Sequence, residues 1–175
     1  FNIRLGEDRL TALVIIGVRP DGVKEVIALA DGYRESTESW ATLLRDLQRR
    51  GLPAPKLAVA DGALGFWAAL REVYPTTEEQ RCWVHKTANV LDKLPRRLQR
   101  RAKSLLHEVM YAPDKAAALA DLERFRQEYQ DKYPKAVECL LKDRETLFTF
   151  MAYPAAHWIH LRTTNVIESS FATVK

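Results

Sequence analysis

Cysteine is scarce: Cys82 and Cys139 are the only two in 175 residues. Two thiols build no disulfide framework, and their sparse use fits a reducing compartment. No apolar run approaches the roughly 18–20 residues of a membrane-spanning helix, so no membrane association is expected. The opening residues alternate in polarity instead of forming the apolar stretch of a secretory leader, and a cytoplasmic location is expected. A strong charge of one sign is missing too. The net charge is +4 and the pI about 9.1, which permits an anionic partner without demanding one. There is no low-complexity tract and no internal repeat. What remains is 47% hydrophobic and 29% charged, an ordinary globular composition in a chain long enough to bury one core.

Residues Phe1–Leu5 alternate apolar and polar, as a half-buried strand does. Leu10–Val18 reads as a second strand, with Leu13-Val14-Ile15-Ile16 buried on both faces. The turn signal Pro20-Asp21-Gly22 leads into a third strand over Val23–Ala30. Three strands on short turns predict an antiparallel meander. Ser36 and Thr37 offer an N-cap for a helix carrying Trp40, Leu43, Leu44 and Leu47 on one face, ended by Gly51 and Pro53. A buried strand over Leu57–Ala60, a helix over Gly62–Val73 and a polar strand over Glu79–Val84 follow, a pattern that predicts a right-handed parallel crossover. From His85 to about Leu147 the chain reads as helices separated by Pro113 and Pro134, and Phe148–His160 is aromatic and irregular. A last helix carries Ile167, Phe171 and Val174. The prediction is an α/β sheet with an all-helical insertion, divided as residues 1–85, 86–160 and 161–175. The chain opens in mid-strand and is expected to be a fragment of something longer.

Asp61 stands where the Leu57–Ala60 strand gives way to a helix, at the carboxyl edge of a sheet, where open α/β folds place ligands. Two readings stand side by side: Asp61 caps the following helix, or it binds a metal or base. Glu168 has a similar pair of readings. Asn165-Val166-Ile167-Glu168 fits a capping box. Alternatively, Glu168 joins Asp61 in holding a pair of Mg²⁺ or Mn²⁺ ions, hard cations that take oxygen ligands.

Arg81-Cys82-Trp83-Val84-His85-Lys86 contains Cys-x2-His, half of a zinc pattern that His157 and His160 would have to complete. The favoured reading is instead a buried cysteine with a hydrogen-bonded histidine at a strand–helix junction. Lys93, Arg96, Arg97, Arg100, Arg101 and Lys103 form the densest basic run. On a helix, positions 93, 96/97 and 100/101 fall on one face opposite Leu98, Ala102 and Leu105, either a solvated face or one that follows a phosphate backbone. Trp67, Trp83, Tyr153 and Trp158 read as core, with stacking on an extruded base as the alternative.

Several of these stretches carry a resemblance along the whole chain. They are Phe1-Asn2-Ile3-Arg4, Gly32–Trp40, Arg49-Arg50-Gly51-Leu52, Ala60-Asp61-Gly62, Gln80–Val90 and Arg162–Glu168. With Cys-Trp-Val-His-Lys and Thr-Thr-Asn-x-Ile-Glu in this order, the chain resembles the catalytic core of Mutator-type insertion-sequence transposases. The resemblance implies an RNase H-like mixed sheet with a helical insertion and a triad of two aspartates and a glutamate, of which Asp61 is the second acid and Glu168 the third. It makes Cys82 and His85 a family signature. It implies two Mg²⁺ or Mn²⁺ ions, hydrolysis that frees a 3′-OH at the element's end, and attack of that hydroxyl on target DNA. DNA is then the partner, as terminal inverted repeats and target, with Arg81, Lys86, Lys93, Arg96, Arg97, Arg100 and Arg101 as candidate contacts. A homodimer or higher assembly on the bacterial nucleoid is expected.

One piece of the pattern is missing. The family's first aspartate falls a few residues before Phe1, and neither Asp8 nor Asp31 matches its motif. The fragment is therefore expected to bind metal weakly and not to cut DNA alone. The rival expectations are a non-catalytic DNA-binding or oligomerisation core, and an RNase H-like nuclease without strand transfer.

Overall fold

The computed structural model is described here over residues 2–5, 8–19, 21–32 and 36–165, with side chains at 12–19, 21–30 and 36–165. Three strands open the chain: β1 (Asn2–Leu5), β2 (Asp8–Val18) and β3 (Lys24–Gly32). They pair antiparallel in the order β1-β2-β3, with Asn2 opposite Thr11 and Thr11 opposite Gly32. A register shift at Ile15/Ile16 interrupts the second ladder, the local kink of a β-bulge. Among the described side chains of β2, only Ala12, Leu13 and Val14 are buried. Ile15 and Ile16, expected to be enclosed, are half-buried, and Val26 and Leu29 on β3 are exposed.

Helix α1 (Thr37–Arg49) begins where Ser36 Oγ accepts the Ser39 N–H at 3.1 Å, satisfying a donor that the helix itself cannot. It ends in a left-handed residue, Gly51 at φ +93°. The Gly51 N–H donates to Gln48 O and the Leu52 N–H to Leu47 O, both at 3.0 Å, the pairing of a Schellman cap. Trp40, Ala41, Leu44 and Leu47 form its buried face. Helix α2 (Leu64–Val73) packs on α1, with the Trp40, Phe66 and Trp67 rings in edge contact.

Strands β4 (Leu57–Ala60) and β5 (Glu78–Arg81) form a two-stranded sheet of their own. The Glu78 N–H donates to Lys56 O and the Cys82 N–H to Ala60 O, a constant sequence offset that marks parallel pairing. The described strands thus divide into two sheets, three-stranded antiparallel and two-stranded parallel. All four residues of β4 are half-buried, less enclosed than their apolar run predicts. The polar strand stops at Arg81, short of the expected Val84, because helix α3 (Trp83–Leu91) has already begun.

The remaining helices are α4 (Arg96–Tyr111), α5 (Lys115–Tyr129), α6 (Pro134–Leu141), α7 (Arg144–Leu147) and α8 (Trp158–Leu161). Two 3₁₀ turns, Thr149–Ala152 and Ala155–His157, occupy the irregular aromatic segment. One apolar cluster holds this block: Trp83, Val90, Ala102, Leu105, Leu106, Val109, Leu122, Phe125, Val137, Leu140, Leu147 and Phe150 are nearly or fully buried. The chain divides into two compact units. One holds the meander, α1 and Gly62–Glu78; the other holds Val59–Asp61 and residues 79–165. No described helix is long and apolar enough to cross a membrane.

Candidate functional site

Asp61 is exposed, directly after β4. Gly62 follows at φ +93°, a left-handed conformation that glycine reaches without Cβ strain. Helix α2 starts only at Leu64, and its N-cap residue is Ala63. Asp61 is therefore not the N-cap residue that one reading of the sequence made it. Asn165, the last described residue, is already helical, and Glu168 lies outside the described residues. So does the rest of the final helix, along with the side chains of Asp31 and Asp8.

The Cys-x2-His stretch forms the junction from β5 into α3. Cys82 is fully buried as the N-cap residue of α3. Its N–H holds Ala60 O at 2.8 Å, one residue before Asp61. Its sulfur lies 3.2 Å from His85 Nδ1 and 3.3 Å from Thr164 Oγ1, and accepts the Thr164 N–H at 3.3 Å. His85 Nδ1 and Thr164 Oγ1 stand 3.4 Å apart. Burial pushes the Cys82 thiol up, but hydrogen bonds from His85 and Thr164 outweigh it and bring the thiol down to about 7. This is the buried cysteine and hydrogen-bonded histidine that the sequence favoured. His157 and His160 are exposed on the 3₁₀ turn and α8.

Beside this junction, Arg81 and Lys86 share one carboxylate. Arg81 Nε lies 3.2 Å and Lys86 Nζ 2.5 Å from Asp143 Oδ2, and Lys86 also donates to Cys139 O at 2.7 Å. Both cations are buried. Burial pushes the Asp143 carboxyl up, yet Lys86 and Arg81 hold it below the ordinary carboxylate value. The expectation that Arg81 and Lys86 reach DNA meets a physical obstacle: both side chains are buried and turned toward the Asp143 carboxylate. The other expected contacts differ. Lys93, Arg96, Arg97, Arg100 and Arg101 are exposed, with Lys93 in the turn before α4 and not on the helix. Arg101 alone of these is paired with a described carboxylate, Glu128.

Reasoning from sequence missed Asp143, Gln80 and the part played by Thr164. Asp143 sits in the charged run Lys142-Asp143-Arg144, which reads as solvated surface. Gln80 made β5 look too polar, and that misfit was the available signal. It is fully buried, donating to Arg81 O and Leu147 O and accepting the Phe150 N–H at 2.8 Å. The four aromatic residues read as core divide. Trp67 and Trp83 are buried, Trp83 donating to Leu147 O, while Trp158 and Tyr153 are half-buried and joined by a bond from the Trp158 ring N–H to Tyr153 O.

Asp61 offers the hard oxygen donor that Mg²⁺ or Mn²⁺ takes. Among the described residues, however, no group of three or more His, Cys, Asp and Glu side chains is placed to hold a metal. That statement covers zinc at Cys82, His85, His157 and His160 as well. A metal at Asp61 would need ligands beyond the described set, and Glu168 is the sequence's candidate.

The described residues form a mixed α/β chain with an acid at a strand end and a Cys-x2-His junction beside it. The family model for the Mutator family of transposases matches residues 2–175, and the chain belongs to that family. It is 54% identical over 173 residues to the transposase for insertion sequence element IS6120 of Mycolicibacterium smegmatis, covering 99% of this chain and 54% of that protein. It is 57% identical over 172 residues to the transposase for element IST2 of Acidithiobacillus ferrooxidans, covering 97% and 58%. A third relative, the transposase for element IS905 of Lactococcus lactis, is 31% identical over 162 residues, covering 93% and 41%. The chain thus spans about half the length of these relatives.

Proposed function

We propose that this chain is the catalytic-domain portion of a DNA transposase, with an RNase H-like core over residues 1–85, a helical insertion over 86–160 and a final core helix over 161–175. The observation that carries the reading is Asp61, exposed at the end of β4 and followed by a left-handed glycine, in a chain of the Mutator family. Asp61 and Glu168 are the proposed catalytic acids and ligands of a pair of Mg²⁺ or Mn²⁺ ions, which when bound stabilise the attacking and leaving oxygens of a phosphoryl displacement. In the first reaction a water oxygen attacks the phosphorus at the element's end, the P–O3′ bond breaks, and the 3′ oxygen leaves as a hydroxyl. In the second, that 3′-OH attacks a target phosphodiester, one P–O bond forming as another breaks. The partners are terminal inverted repeats and target DNA. Lys93, Arg96, Arg97, Arg100 and Arg101 meet the phosphates, and the protein works on the bacterial nucleoid as a dimer or larger assembly.

The test is plasmid nicking in Mn²⁺ by a version extended upstream to include the first aspartate, beside Asp61→Ala and Glu168→Ala. Nicking by the parent and its loss in both variants is the expected result. Nicking by the chain that starts at Phe1 would overturn the assignment of the first acid to an upstream residue. If all three extended proteins bind DNA alike and none nicks it, the DNA-binding core without catalysis replaces this reading. Cleavage without joining, on a donor end with a free 3′-OH, replaces it with a nuclease.

A further inference from the structure

We propose that Tyr111 is a stacking platform for an unpaired nucleobase, standing at the end of a phosphate-binding stripe along α4; the proposal rests on the reading of DNA as the partner. Arg96, Arg100, Lys103, His107 and Tyr111 recur along α4 at intervals of four, three, four and four residues, which places them on one helical face. All five are exposed. The face is distinct from the one that packs, where Ala102, Leu105, Leu106 and Val109 are buried. It is distinct too from the flank on which Arg101 and Glu108 pair with Glu128 and Arg124 of α5. Among the described residues no carboxylate is paired with Arg96, Arg100 or Lys103.

A lone surface aromatic is ordinary, but Tyr111 is held. The Arg162 guanidinium lies 4.4 Å from the centre of its ring, a cation–π contact that covers one face. That guanidinium is fixed in its turn. Its Nη1 donates to Met110 O and its Nε to Trp158 O, both at 3.1 Å, and the centre of the Phe150 ring lies 5.6 Å away. The His107 ring flanks Tyr111 from the preceding helical turn, with centroids 5.7 Å apart. Tyr111 is nevertheless 59% exposed, which leaves the other face of the ring to solvent. A ring already fixed loses little freedom when something stacks on it. Base faces are hidden inside a paired duplex, so only a base out of the stack can cover this one. The stripe runs about 22 Å from Arg96 to Tyr111 at the rise of an α-helix. Cations that track the backbone, together with an aromatic face that takes any base, are how single strands are bound.

The experiment measures, by fluorescence anisotropy, how the whole chain binds three labelled DNAs. They are a single strand of about 12 nucleotides, within the usual site size, a fully paired duplex, and that duplex with one unopposed base. The parent is compared with Tyr111→Phe, Tyr111→Leu and a triple variant that replaces Arg96, Arg100 and Lys103 with alanine. Tyr111→Leu is expected to weaken single-strand binding by about tenfold, the size of one lost stack, and to leave the paired duplex unchanged. Tyr111→Phe should bind as the parent does. The triple variant should weaken all three complexes and flatten their salt dependence. A loss by Tyr111→Leu on the unopposed base as well assigns the platform to bases turned out of a duplex, and a loss on the single strand alone assigns it to strand ends. Irradiating a single strand that carries 5-iodouracil should cross-link it to the parent at Tyr111, read by peptide mass spectrometry. Single-strand affinity that survives in Tyr111→Leu, or falls equally on the paired duplex, overturns the platform. If the parent binds none of the three DNAs, the DNA reading itself fails and takes the platform with it.

Discussion

Lys86 Nζ lies 2.5 Å from Asp143 Oδ2, an ion pair made inside the protein by residues from α3 and the turn before α7. Arg81 joins from the end of β5, so one carboxylate answers two buried cations. Removing the shared acid leaves two charges without a counter-ion in a poorly solvated place. Asp143→Asn is expected to lower stability by about 3–5 kcal/mol, read as the midpoint of urea unfolding. The same pair sets an acid limit. A carboxyl held below its ordinary value contributes stability above that value and loses it as pH falls through the native one. The parent should therefore lose stability relative to Asp143→Asn only below about pH 4, the ordinary carboxylate region. A decrease comparable to that of a surface variant would show the pair to be incidental.

The helical block was legible as helices separated at Pro113 and Pro134, and the apolar side marked by Ala102 and Leu105 is one that the cluster buries. The meander was legible from alternation and the Pro20-Asp21-Gly22 turn signal. The β5–α3 junction was misplaced by a few residues, because Cys82-Trp83-Val84 looks like strand continuation and only the tertiary burial of Trp83 in the helical cluster makes it helix. The place of Asp61 at the end of β4 was legible from position, whereas the ion pairing of Asp143 was not. A pairing partner 62 residues away leaves no local trace. The inward turn of Arg81 and Lys86 was invisible for the same reason, since charge alone does not say whether a side chain faces water.

Cys82 should make stability depend on pH in a window that few side chains report. Its thiol is lowered from an ordinary value near 9 to about 7. The folded state then favours the thiolate, and its contribution is complete above pH 9 and absent below pH 7. The difference in unfolding free energy between the parent and Cys82→Ser should rise across this range, by about 3 kcal/mol at most. Urea unfolding at several pH values, under reductant, measures it. A difference that stays flat from pH 7 to 9 would mean that His85 and Thr164 do not stabilise the thiolate.

The cations of α4 divide by partner. Arg101 is paired with Glu128, while Arg96, Arg97 and Arg100 are exposed and hold no described carboxylate. Replacing those three with alanine should weaken non-specific duplex binding. The slope of log affinity against log salt should become shallower by about 0.9 for each phosphate that the variant no longer neutralises. Arg101→Ala should change the slope less, since a neighbouring acid already screens that charge. Folding should be preserved to within about 0.5 kcal/mol in each case, because the sites are exposed. Fluorescence anisotropy over a salt series reads the slopes. Equal slopes in parent and triple variant would move the DNA face elsewhere.

Gly65 marks a close approach that is easy to break. A Cβ there would stand 3.0 Å from Thr37 N and 3.1 Å from Ser36 C, both main-chain atoms at the start of α1. Those atoms belong to the capped turn in which Ser36 Oγ accepts the Ser39 N–H. Neither can swing aside as a side chain would. Gly65→Ala gains helix propensity, about 1 kcal/mol in an exposed helix. It must also push α2 away from α1 and thin the packing among Trp40, Phe66 and Trp67. Overpacking of this kind costs about 1–3 kcal/mol, so the net change should be destabilising, with the tryptophan emission shifted as Trp40 and Trp67 repack. Gly65→Ala at parental stability with unshifted emission would mean that the two helices part at no cost, and that the small residue is not what sets their separation.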